Sequence, residues 1–181
     1  MHVNDDHWLA RTRRRASPNA DLRPDGCVPE LVVIHSISLP AGRFGTGCVE
    51  ALFTNELDIT SHESFHDLEG LHVSAHLLID RRGRTTQFVP FDQRAWHAGV
   101  SCWRGRPGCN DYAIGIELEG TDDRPYTKAQ YERLAAVLHA LLARYPKLST
   151  DSIAGHQEIA PGRKTDPGPA FRWPEIYRRI L

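Results

Sequence analysis

The sequence narrows its own reading first by what it lacks. It has no apolar run of about 18 residues, and its opening stretch "MHVNDDHWLARTRRRASPNA" contains no apolar signal core. These absences predict a chain that neither spans a membrane nor leaves the cytoplasm. Cysteine is scarce: Cys27, Cys48, Cys102 and Cys109 are scattered without any C-x-x-C spacing. Disulfide frameworks belong to short secreted chains, so these four read as reduced cytosolic thiols. An excess of one charge is missing too, since 22 Lys and Arg stand against 23 Asp and Glu, a formal net charge of -1. That balance argues for no nucleic-acid partner and no anionic membrane, and nothing implies an obligate protein partner. The one basic run, "RTRRR" at Arg11 to Arg15, reads as a solvated face. The glycine-rich "AGRFGTG" lacks the Lys-Ser/Thr ending of a phosphate loop, and no internal repeat is visible.

What remains is an ordinary globular balance, 40% hydrophobic and 25% charged over 181 residues, long enough for one domain with a real core. Residues 1–29 are polar, basic and proline-containing, and read as an arm wrapping a domain of residues 30–181. Leu31-Val32-Val33-Ile34 is a short β-branched run of the kind buried on both faces of a sheet, and His35 ends it. "CVEALFTNELD" reads as a short helix, and "HVSAHLLIDRRGRTTQFVP" as two strands about a turn at Arg82-Gly83. "YAIGIELEG" gives another buried strand. The clearest helix is "YTKAQYERLAAVLHALLARYP", with a Thr127/Gln130 capping box, a stripe of Leu134, Val137, Leu138, Leu141 and Leu142, and Pro146 at its end. A strand at "SIAGH" and a last helix at "WPEIYRRIL" complete an α/β chain with a mixed central sheet flanked by helices.

Between those last two elements, "GHQEIAPGRKTDPGPAF" concentrates His156, Glu158, Arg163, Lys164 and Asp166 on a stretch whose Pro-Gly pairs forbid a long helix. A catalytic zinc site needs three N, O or S ligands on rigid platforms with one position left open. His35 at a strand end, His156 at a strand-to-loop junction and Asp166 in the braced loop meet that need, although each alone reads equally as a satisfied histidine or a turn aspartate. His62 with His66, and His72 with His76, are rival same-face pairs, whereas His2, His7 and His139 read as surface or packing residues. Glu117 and Glu119 point to one side of an apolar strand, where a carboxylate is costly unless it is paired or used. The readings are a salt bridge to one of the many arginines, or a general base beside a metal. Lys164, two residues before Asp166 in an extended loop, can share its side and stabilise an oxyanion.

Four blocks carry more than spacing: "VVIHSISLPAGRFGTG", "VSAHLLIDRRGRTTQFVPFDQRAWHAGVS", "CNDYAIGIELEGTDDRPYT" and "GHQEIAPGRKTDPGPAF". Together they resemble, in order from about residue 8 to 177, the 1,6-anhydro-N-acetylmuramoyl-L-alanine amidases of the AmpD family. The resemblance implies the fold shared with peptidoglycan recognition proteins and a Zn2+ site of His35, His156 and Asp166. It implies Glu117 as the acid/base for water, Lys164 as the oxyanion's partner, and a bacterial cytoplasmic enzyme acting on small muropeptides during wall recycling. It suggests Ser36, Trp96, His97, Arg106 and Asn110 as residues lining the substrate cleft. Three positions depart from the family pattern: Ser36 where Asn is expected, and His72 and Gly108 where Arg is common. A non-catalytic peptidoglycan-binding module would lose one of the ligands, and phage-type lytic amidases commonly use Cys as the third. All the expected groups are present here, with Asp at 166.

Overall fold

The computed structural model describes residues 1–181. Its centre is a six-stranded sheet in the order β1-β5-β4-β9-β3-β10. These are Arg13–Arg14 (β1), Leu31–Ile37 (β3), Leu77–Ile79 (β4), Thr85–Gln87 (β5), Ala113–Glu119 (β9) and Ile153–Gly155 (β10). Two small ribbons lie outside it: Ala20–Leu22 (β2) with Gln93–Ala95 (β6), and Cys102–Trp103 (β7) with Arg106–Pro107 (β8). Only the β4–β5 hairpin is antiparallel within the main sheet, so the sheet is mixed. Gly83 turns that hairpin at φ +76, and a Cβ there would stand 2.7 Å from the Ala129 carbonyl oxygen, so the turn admits little else.

The helices are Cys48–Phe53 (α1), Lys128–Arg144 (α2), His156–Ile159 (α3) and Trp173–Ile180 (α4). Thr127 and Gln130 cap α2 reciprocally, as the sequence predicts. The α2 stripe of Leu134, Val137, Leu138 and Leu141 packs with Ile176 and Ile180 of α4 on one face of the sheet. That face presents Val32, Ile34, Ile114, Ile116 and Leu118, the even-numbered half of β3 and β9, and with the helices it forms a core of 24 buried residues. Full burial of each such aliphatic side chain stabilises by about 1.5–3 kcal/mol.

The odd-numbered half faces the other way. Leu31, Val33, Ala113 and Ala154 pack beneath Ala98, Tyr112 and Ile159. One step along the same alternation come His35 and Glu117, which sit opposite each other in the parallel β3–β9 register. Pleating therefore places a histidine and a carboxylate side by side at one end of an otherwise apolar face.

One sequence expectation needs correction, and another gains detail. His35 does not end its strand: β3 runs on to Ile37, and His35 is only 1% exposed. Residues 1–29 do more than wrap, because Val3 and Leu9 enter the main core and β1 forms the sheet's edge beside β5. The polar composition of that segment hid the two apolar anchors. Arg23 rivets it down by donating to the carbonyls of Phe91, Asn110, Asp111 and Ala113. Burial lowers the Arg23 guanidinium to about 10.

Candidate metal centre and active site

Three elements converge on the polar end of the sheet. β3 supplies His35, the first residue of α3 supplies His156, and the loop after α3 returns to supply Asp166. The return is built locally: the Gln157 N–H donates to the Asp166 carbonyl at 2.9 Å, and the Arg163 and Lys164 N–H groups both donate to the Ala160 carbonyl. Gly155 makes the closure fit, since a Cβ there would come 2.9 Å from Pro167 Cδ. Tyr126 then ties the far side by donating to the Pro167 carbonyl at 2.8 Å.

In the resulting cluster, Nδ1 of His35 lies 3.0 Å from Nδ1 of His156. Asp166 Oδ2 stands 3.2 Å from the first and 3.1 Å from the second. One donor atom from each residue falls within 4.8 Å of the others, and no other group of three histidines, cysteines or carboxylates does so. The Ala98 carbonyl lies 3.1 Å from His156 Nε2 and can only accept, so Nε2 carries the proton and Nδ1 presents a lone pair. Two imidazole nitrogens and a carboxylate oxygen aimed at one point fit a divalent metal.

Glu117 completes the site. Its Oε1 is 4.0 Å from His35 Nδ1, while its buried Oε2 has no hydrogen-bond partner. Burial, reinforced by the neighbouring Asp166 charge and opposed by Lys164, holds the Glu117 carboxyl well above the ordinary carboxylate range. Burial alone would raise Asp166 as well, but the adjacent His156 and His35 imidazoles hold it below that range. Burial lowers His35 to about 4. Lys164 is exposed, yet close enough for its charge to act on both His35 and Glu117. Two carboxylates pushed in opposite directions within one small site is the pattern of an acid/base beside a ligand.

With this geometry in place, relatives are informative. The family described as N-acetylmuramoyl-L-alanine amidase (Amidase_2) matches residues 25–169. The 1,6-anhydro-N-acetylmuramyl-L-alanine amidase AmpD of Salmonella typhimurium is 56% identical over 172 residues, covering 95% of this chain and 91% of that protein. The chain belongs to the AmpD family of N-acetylmuramoyl-L-alanine amidases. Its Escherichia coli relative of the same name is 55% identical over 166 residues, 92% of this chain and 90% of that protein. A crystal structure of a Se-Met AmpD derivative superposes with a TM-score of 0.95 at 53% identity and covers 98% of each chain. The N-acetylmuramyl-L-alanine amidase AmiD from E. coli, solved with the substrate anhydro-N-acetylmuramic acid-L-Ala-D-gamma-Glu-L-Lys, superposes with a TM-score of 0.63 at 28% identity. It covers 88% of this chain, which in turn spans 61% of AmiD's.

Set in this AmpD-family frame, the residues expected to line the cleft separate. The Arg106 guanidinium pairs with Glu30 at 2.9 Å and lies over the Tyr112 ring at 3.9 Å. Glu30 precedes the opposite end of β3, about 16 Å from His35 at the rise of a strand. Ser36 falls on the other face of the sheet from His35, its hydroxyl beside Tyr126, because strand alternation turns it there. Asn110 is a backbone clamp whose Oδ1 accepts from the N–H groups of His97 and Ala98. His97 contacts His35 itself at 2.9 Å. Trp96 is half-buried, its backbone N–H donating to Ser74 Oγ.

The rival histidine pairs supply no second cluster. His62 caps the Ser64 N–H, and His72 reaches Asn55 at 3.3 Å. Buried His76 accepts from the Gly115 N–H and donates to the Gln93 carbonyl. Glu119, which shares a side of β9 with Glu117, accepts from the Gly45 and Arg81 N–H groups. The Ala98 carbonyl could not be read from the sequence, because backbone acceptors leave no residue signature.

Proposed function

We propose that this protein is a zinc-dependent amidase that cleaves the bond between the lactyl group of anhydro-N-acetylmuramic acid and the L-alanine of the stem peptide. His35 and His156, each through Nδ1, and Asp166 would hold the ion. A bound zinc ion supplies Lewis-acid polarisation of the scissile carbonyl and of the attacking water. The chain's own groups do the rest. Glu117 accepts the water's proton and returns it to the leaving amine, which an amide needs because its leaving group is poor. Lys164 faces the oxygen on which negative charge develops. Trp96 offers an aromatic face for the sugar.

One observation carries this reading: a buried carboxyl with an unpartnered oxygen stands 4.0 Å from a nitrogen of a three-ligand cluster. The anhydro sugar comes from the likeness to relatives named for it. With it comes the assignment to cytoplasmic wall recycling, with residues 30–181 as the amidase domain and 1–29 as its arm. No helix is long and apolar enough to cross a membrane. The test gives zinc-loaded protein soluble anhydro-muropeptide and, separately, intact sacculi. Release of stem peptide from the soluble substrate alone is the expected result. Equal cleavage of sacculi would make it a lytic amidase, and cleavage of neither would leave a binding module.

A further inference from the structure

The segment from Trp96 to Ala98 reaches both clustered histidines from behind. His97 Nδ1 lies 2.9 Å from His35 Nε2, the two rings meeting edge-on at 84°. One residue later, the Ala98 carbonyl accepts from His156 Nε2 at 3.1 Å. A single side chain sets both positions, because Asn110 Oδ1 accepts from the His97 N–H at 3.1 Å and the Ala98 N–H at 2.8 Å. Beneath the His97 ring lies Gly115, where a Cβ would stand 2.4 Å from His97 Cγ. A glycine weakens the middle of a strand, and here the close approach of that ring accounts for it.

We propose that His97 and Ala98, clamped by Asn110 and seated over Gly115, form one positioning unit that fixes the orientation and tautomer of both metal-binding histidines. The inference rests on the reading of His35, His156 and Asp166 as a metal site. A ligating histidine keeps its tautomer through the bond its other nitrogen makes. For His156 that partner is a carbonyl, which settles the matter. For His35 it is another imidazole, so two tautomers are locked together. If His35 Nε2 donates to His97 Nδ1, the lone pair on His35 Nδ1 is free for a metal, and the His97 proton sits on its Nε2. That atom is buried and has no partner, a cost the arrangement bears. If the His97 proton moved to Nδ1, His35 would carry its own on the nitrogen facing Asp166 and lose its ligand lone pair. His97 is thus a positioning residue acting through His35 rather than a wall of the substrate cleft.

The test uses the full chain without substrate. Zinc affinity is measured by competition with a chromophoric chelator, and the visible bands of the cobalt(II)-loaded protein report ligand geometry. Wild type is compared with His97→Phe, His97→Gln and Asn110→Ala. Phenylalanine keeps a ring but offers no acceptor, so zinc affinity should fall about 10–100-fold with altered cobalt bands. Glutamine offers an acceptor oxygen and should recover most of the affinity. Asn110→Ala should weaken zinc in the same direction, and it carries the test if the phenylalanine variant does not fold. His97→Phe matching wild type in zinc affinity and cobalt spectrum would overturn the proposal. Failure of glutamine to restore affinity would remove the acceptor role and overturn it as well. Wild type failing to bind zinc, or Asp166→Ala binding it normally, would instead bring down the metal reading on which the proposal stands.

Discussion

Replacing Glu117 with glutamine keeps the side chain's shape and removes its ability to carry a proton. Glu117 is 8% exposed, with one carboxyl oxygen unpartnered and the other 4.0 Å from His35 Nδ1. General acid–base catalysis contributes about 10²–10⁴-fold. Glu117→Gln should therefore lower kcat by about that factor, a barrier increase of roughly 2.7–5.4 kcal/mol, while zinc stays bound. Stability should move the other way. In metal-free protein the folded carboxyl holds its proton more tightly than the unfolded chain does, because burial raises it above the ordinary 4.5. Well below 4.5 both states are protonated, so the substitution is neutral. As pH rises, the unfolded carboxyl ionises while the folded one resists, and wild type loses stability relative to the variant. For a chain of 181 residues, each kcal/mol so lost lowers Tm by about 2–4 °C. The metal-free variant should thus gain in Tm over wild type as pH rises from about 4 to 7. Thermal melts across that pH range, paired with a stopped assay of released peptide, check both halves. Turnover retained within about tenfold of wild type, or a Tm difference independent of pH, would refute the reasoning.

Three further outcomes follow from the same geometry. Asp166→Ala should abolish zinc binding while the fold persists, read by metal analysis beside circular dichroism, because the aspartate joins no hydrophobic cluster. Chelation should stop hydrolysis yet leave a cooperative melt, since the 24-residue core on the helical face includes no metal-cluster residue. Arg106→Ala should leave KM unchanged and cost about 1 kcal/mol of stability in denaturant titration, from a lost ion pair and cation–π contact.

The course of the chain from strand to helix was legible because its patterns are local. The β-branched run at 31–34, the capped stripe on α2 and the hairpin at Gly83 each reveal themselves within a few residues. The site was legible as a set of residue types on rigid platforms, and their grouping came through resemblance. His35 and His156 stand 121 residues apart, and only parallel pairing of β10 with β3 brings them together. The register that sets His35 opposite Glu117 is likewise long-range. The partners of Arg106, Glu30 and the Tyr112 ring, lie 76 and 6 residues away, and nothing local in the sequence announces them. Val3 and Leu9 were missed because two apolar residues in a polar segment have no periodicity to announce them. Gly115 did carry a signal, since a glycine inside a buried strand asks what approaches it, and the answer is His97.

In the proposed reaction, with zinc held by His35, His156 and Asp166 beside Glu117, water cleaves the lactyl–alanine amide. Hydrolysis of an anhydro-muropeptide by the zinc-loaded protein in ¹⁸O-water, with products resolved by mass spectrometry, tests it most directly. One ¹⁸O should appear in the lactyl carboxylate, beside an unlabelled stem peptide with a free L-alanine amine. An intact substrate despite full zinc loading, or label appearing at any other bond, would contradict it.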